Sequence, residues 1–196
     1  MSKRYTLFLV LMLLLSGFVS SAQNRLEREH RIKKSQFPSK ALQTILENNN
    51  DFKRLKFYKT VDTASQTYTA KFKKARLFYE MDFSENGELT GLGFAIKPID
   101  IPEESFYRIS AYLSQKFEKS KVRKMFQFYP LESNKDLDKT IKNAFQNLMI
   151  SDVVYELFVK GKTDGSRTDF EITFDSEGNF VRIREALPSN YDRVLY

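Results

Sequence analysis

The side chains that could do chemistry are few. The chain has one histidine, His30, and no cysteine. That excludes a thiol nucleophile, thiolate metal sites and a disulfide framework, and a multi-histidine metal centre within one chain. A Ser-His-acid triad would have to use His30, which lies in a highly charged stretch. Two carboxylate pairs, Glu80 with Asp82 and Asp169 with Glu171, have the two-residue spacing that puts both acids on one face of a strand. Acid–base hydrolysis of a glycoside needs such a pair. Acids alternating with aromatics are also what an amphipathic strand requires, and that is the reading adopted here. Asp175-x-Glu177-Gly178-Asn179 is similar to part of a calcium loop but has no bidentate Glu at the required distance. Seven glycines are scattered, and Gly91-x-Gly93 is not followed by a phosphate-loop pattern. The expectation is a protein that is not an enzyme, with no catalytic residue, metal or cofactor.

The elements that would position any site follow from periodicity. Residues 1–22 read as a signal peptide: Lys3 and Arg4 precede the apolar run Leu7 to Leu15, and Ser20-Ser21-Ala22 is a small-residue cleavage site. The net charge of +7 falls by two, to +5, when this leader is removed. A mild excess of that kind fits adhesion to anionic surfaces or acidic partners. It is no nucleic-acid footprint, which needs clustering and a motif. No later stretch is long and apolar enough to span a bilayer, so the cleaved chain is expected not to be an integral membrane protein. Export to the periplasm or beyond is the expected localisation.

Residues 23–36 are dense in charge and read as a flexible arm. Phe37-Pro38 then opens a helix with Leu42, Ile45 and Leu46 on one stripe. Four strand-like runs follow: one around Leu55 to Tyr58, then 67–73, 76–83 and 89–96. Asn86-Gly87 marks a tight hairpin between the last two. Ile101-Pro102 opens a second helix, with Phe106, Ile109, Leu113 and Phe117 in register. Runs at 122–129, 153–160, 168–174 and 180–187 complete the pattern. A further helix, 133–149, carries Leu137, Ile141, Phe145 and Leu148. Two anchors align: Phe37-Pro38 with Ile101-Pro102, and the turn at Gly87 with that at Gly178. The predicted fold is therefore α+β. It comprises two tandem helix-plus-four-stranded antiparallel repeats, 37–100 and 101–188, with one extra helix inserted in the second and a C-terminal tail, 189–196.

The helix starts, the aromatic meander and the closing hairpins Phe83-Ser84-Glu85-Asn86-Gly87-Glu88-Leu89 and Phe174-Asp175-Ser176-Glu177-Gly178-Asn179-Phe180 resemble the PepSY-like proteins. Those proteins are related to the β-lactamase-inhibitor-like tandem fold and are abundant as exported proteins of Bacteroidetes-type bacteria. The chain differs in lacking Trp and in carrying the helix 133–149. The resemblance implies helices on one face of a curved sheet, an exposed face that engages a partner, and regulation or inhibition rather than catalysis.

Strand alternation assigns the candidate protein-binding face. Tyr58, Phe78 and Phe158 fall on the predicted wet side, ringed by Lys71, Lys73, Glu80, Asp82, Arg182 and Arg184, a composition expected of an interface. The partner would be an unidentified protein of the cell envelope. A second reading is a small-ligand or lipid carrier, with the small residues Gly91, Gly93 and Ala95 opening a cleft between helix and sheet.

Overall fold

A computed structural model describes residues 28–48, 51–61, 65–132 and 136–185. The expected signal peptide, 1–22, and the expected tail, 189–196, lie outside the described residues. The strands are β1 (Arg28–Ile32), β2 (Lys53–Val61), β3 (Gln66–Lys74), β4 (Leu77–Phe83), β5 (Leu89–Ile96), β6 (Lys119–Pro130), β7 (Val154–Thr163), β8 (Ser166–Asp175) and β9 (Phe180–Glu185). Helix α1 (Ser39–Glu47) lies between β1 and β2, α2 (Glu103–Lys116) between β5 and β6, and α3 (Leu137–Phe145) between β6 and β7.

All nine strands form one antiparallel sheet in sequence order, β1 to β9. The expectation of two tandem helix-plus-four-strand repeats is corrected by this finding. β5 pairs with β6 over Gly91 to Ile96, across the expected boundary at residue 100, so there is no break between two sheets. The physical reason is that Phe94 and Met125 both bury in the same apolar face, and pairing β5 with β6 makes that face continuous. The part of the expected arm that is described is also ordered differently: residues 28–32 pair with β2 as an edge strand. A 3-10 turn, Lys34–Gln36, then leads to α1.

The three helices share one face of the sheet. Ala41 and Ile45 of α1, Ile109 and Leu113 of α2, and Ile141 and Ala144 of α3 are buried in a single core with Phe72, Met81, Leu92, Tyr155 and Ile172. Aromatic rings fill the space beneath α1 and α3. Phe37 packs against Phe57 at 4.8 Å between centroids, and Phe52 stacks on Phe72 at 3.8 Å. Phe145 stands edge-on to both Phe72 and Tyr79. Such pairs contribute about 1 kcal/mol each beyond their area burial.

Capping sets the ends. Asp136 caps α3, its carboxylate accepting from the Lys139 N–H; the expected start of this helix at 133 lies outside the described residues. Gly87 and Gly178 have φ of +75° and +86°, and each turn packs on a helix start. A Cβ on Gly178 would lie 2.3 Å from the Ser105 carbonyl oxygen. Among the described residues no helix is long and apolar enough to cross a membrane.

Candidate functional site: the sheet face without helices

Cross-strand pairs share a face, so the registers decide which residues meet. Tyr58 pairs with Thr69, Thr69 with Asp82, Lys71 with Glu80, and Lys73 with Phe78. Asp82 and Glu80 face Gly91 and Gly93, which face Pro130 and Phe128. Phe126 pairs with Glu156, Lys124 with Phe158, Phe158 with Glu171, and Glu171 with Arg184. All nine candidate residues, Tyr58, Lys71, Lys73, Phe78, Glu80, Asp82, Phe158, Arg182 and Arg184, therefore lie on the face opposite the helices. Tyr58 and Phe126 are buried on this face, outside the core under the helices.

At the β1 side of this face sits a buried cation. Lys71 has no exposed side-chain surface. Its ammonium lies 3.0 Å from each oxygen of the Glu29 carboxylate and 3.7 Å from Glu80 Oε1. It also lies 4.4 Å from the centre of the Tyr58 ring. A buried ammonium is tolerated only when paired in this way. The Glu29 side chain reaches across β2 to do it, so the charge pair ties β1 to β3. Asp82 accepts a 2.8 Å hydrogen bond from the Thr69 hydroxyl. Tyr58, expected among the exposed aromatics, and Lys71, expected in the charged ring, are thus closed off, and the accessible part of the face begins at half-buried Lys73 and Phe78. Lys73 stands 5.3 Å from the Phe78 ring.

The centre is aromatic. The Phe128 ring lies on the backbone of β5: a Cβ on Gly91 would stand 2.5 Å from it, and one on Gly93 2.9 Å. Gly91 and Gly93 are small because Phe128 covers them, on the side away from the helices. The expected cleft between helix and sheet at this strand is therefore corrected. Phe126 and Phe158 meet edge to face at 6.1 Å.

At the β9 side the polarity is reversed. Glu171, 5% exposed, accepts from Arg184 at 3.0 Å and lies 4.0 Å from Arg182. Arg182 also donates to Thr173 Oγ1 and Glu156 Oε1. The two arginine side chains are 57% and 44% exposed.

Neither carboxylate pair has the surroundings of an acid–base couple. Glu80 and Asp82 are held by Lys71 and Thr69, and Glu171 by the arginines. Asp169 pairs in register with Lys160. In the 175–179 turn, the Asp175 carboxylate accepts from the Glu177 and Asn179 N–H groups at 3.0 and 2.8 Å, so its oxygens close the turn. Among the described residues, no three of His, Cys, Asp and Glu converge on one point. His30 is exposed on β1 and pairs with Lys59, facing away from the Lys71 cluster.

On the helix side, one buried polar cluster stands out. Tyr129 donates to the Leu148 carbonyl at 2.9 Å and accepts from Gln127 at 2.6 Å. Burial pushes its hydroxyl up to about 12. Burial raises Tyr79 and Tyr155 as well.

The sequence reading missed Glu29, Phe126, Phe128 and Glu156 as members of the face. Phe126 and Phe128 alternate with Met125, Gln127 and Tyr129, so both faces of β6 are apolar and periodicity cannot choose between them. Glu29 sits in a five-residue strand, REHRI, whose only aliphatic residue is Ile32.

No protein-family model matches the chain, and no curated protein matches it. Solved structures do share its fold. A DUF2874 family protein from Bacteroides ovatus superimposes with a TM-score of 0.51 at 10% identity, covering 82% of this chain and 94% of its own. A Bacteroides eggerthii protein, proposed to be periplasmic, gives 0.51 at 11% identity, covering 76% and 88%. At these identities the likeness is one of fold.

Proposed function

We propose that this chain is an exported, periplasmic binding module of the PepSY-like type. In this reading it performs no catalysis and engages a partner protein of the cell envelope through the helix-free face. The observation that carries the proposal is the band Phe78, Phe126, Phe128 and Phe158, laid between two charged clusters on a face that no described helix covers. Aromatic centre and charged rim are the composition of protein interfaces. The leader at 1–22 and the periplasmic proposal for a protein of the same fold support the location. The pairing of Glu29, Glu80, Asp82, Glu156 and Glu171 supports the absence of acid–base chemistry.

The test places a photo-crosslinking amino acid at Phe158, at Phe78 and, as a control on the helix side, at exposed Tyr107, in cells of the source organism. The reading expects one discrete protein adduct from both face positions and none from Tyr107. No adduct at either face position, or the same adduct from all three, overturns it.

A further inference from the structure

The cations of this chain are spread through its sequence, but the meander gathers them at one end of the sheet. The start of β2, the β3–β4 connection, the start of β6 and the β7–β8 connection all lie at that end, as the registers Lys53 with Lys73 and Lys119 with Lys162 require. These segments, residues 51–56, 71–78, 116–124 and 158–169, hold fifteen Lys and Arg against four Asp and Glu. The segments at the other end, 82–90, 128–132, 150–156 and 173–180, hold eight acids and no Lys or Arg. The molecule is polarised along its strands.

Helix dipoles account for part of this. α1 and α2 start at the acidic end, where Pro38 packs on Gly87 and Ser105 on Gly178, and they finish at the basic end. Their C-termini favour a cation or two nearby. They do not call for fifteen. Lys71 is held by Glu29 and Glu80 and Lys162 by Glu118, but acids at that end are scarce, and Lys53, Arg54, Arg76, Lys119, Lys121 and Arg167 are all exposed.

We propose that this basic end docks the protein on an anionic membrane surface, its lysines and arginines seated among phosphate-bearing lipid headgroups. Three observations select a bilayer rather than a peptide. The cations come from four segments running from β2 to β8, roughly 30 Å at the usual strand spacing, far wider than one extended strand. None of the exposed large apolar side chains falls in these four segments, and two, Leu46 at the end of α1 and Ile99 after β5, flank them, too few for an inserted apolar face, so the contact is chiefly electrostatic and peripheral. The opposite end, where Lys40 and Arg108 pair with only two of the eight acids, Glu88 and Glu177, stays acidic and would be repelled, which fixes one orientation. In that orientation the strands stand away from the membrane and the aromatic face remains open to the side. The proposal stands independently of the partner-binding reading, because it uses the strand ends and not the face.

The test is co-sedimentation with phosphatidylcholine vesicles containing roughly one-third phosphatidylglycerol, against phosphatidylcholine alone. The protein is the chain from Gln23 onward, which keeps every described residue and removes the apolar run Leu7 to Leu15 that would insert by itself. Two quadruple variants lose the same charge. One, Lys119→Gln/Lys121→Gln/Arg123→Gln/Arg167→Gln, alters the basic end. The other, Lys40→Gln/Arg108→Gln/Lys139→Gln/Lys142→Gln, removes cations borne by the three helices. Each cation near an anionic leaflet is worth about fivefold in partitioning. The expected result is binding only to the anionic vesicles, lost in high salt, weakened at least tenfold by the first variant and little by the second. Matching thermal melts show that both variants fold. Equal weakening by both variants would mean a bulk charge effect and overturns the proposal. So does absence of vesicle binding at low salt, including the case in which immobilised polyglutamate captures the protein and vesicles do not.

Discussion

The two ends of the helix-free face solve the problem of charge on a sheet in opposite ways. Near β1, a cation is buried and two carboxylates come to it. Near β9, a carboxylate is buried and two guanidiniums come to it. Lys71 is enclosed, with Tyr58 beside its ammonium, and cannot reach water when its partners are removed. Glu171 is covered mainly by long side chains that are themselves half in solvent, so its environment can relax. The difference teaches that the same set of charges can be a fixed joint or an adaptable surface, depending on which partner lies against the backbone.

Three experiments would break or sharpen that contrast. The largest effect is expected at the β1 end. Lys71→Met leaves Glu29 and Glu80 in a buried site without their cation and should cost about 3–5 kcal/mol in urea unfolding. Adding Glu29→Gln and Glu80→Gln should recover at least half of that loss, because the penalty belongs to the stranded charges. A triple variant as unstable as the single one would show that packing, not charge, holds the joint.

A buried polar group on the other face provides a reference of intermediate size. The folded state holds the Tyr129 proton up to about 12, against an ordinary value of 10.0. A raised value means that stability is fully present below pH 10 and is lost as pH rises toward 12. Unfolding free energy should therefore fall by about 2 kcal/mol across that window. Tyr129→Phe should be less stable at pH 8 but show a shallower decline, as read from denaturation curves at each pH. An unchanged slope would count against Tyr129 as the source.

The smallest effect is expected at the β9 end. Glu171→Gln keeps a hydrogen-bonding group under Arg184 and lets both arginines turn to water. Its cost should be about 1 kcal/mol and shrink in salt, as for other pairs that solvent reaches. A loss equal to that of Lys71→Met would erase the distinction between the two ends.

Much of the fold was legible locally. Alternation in Leu77 to Phe83 and Val154 to Lys160 marks strands with one buried side, and the turn at Asn86-Gly87 needs a positive φ. Which strand pairs with which was not legible at the point that mattered. Helix α2 and its flanks separate β5 from β6, and a helix between two strands reads equally well as a boundary or as a crossover on one sheet. Pairing was decided by burial of Phe94, Met125 and Tyr129 in a common core, a tertiary fact with no local signature. Alternation did assign the nine candidate residues to one face, since side-chain direction needs only parity. It carried no information on depth. Lys71 and Lys73 have the same parity, yet only Lys71 lies beneath the reach of Glu29. The end-to-end charge polarity was hidden for a related reason: cations near residues 54, 74, 121 and 162 become neighbours only once the strands reverse.

The sheet adds its strands in the order in which they occur along the chain. Apart from the inserted helices, each strand finds its partner in the one just before it, and none waits for a distant segment. Contact order is thereby kept low for a sheet of this width, which favours rapid folding. On the proposed route of export, N-terminus first across a membrane, such wiring has a practical result. Assembly can proceed strand by strand as the chain emerges, and the growing edge is never committed to a piece not yet delivered.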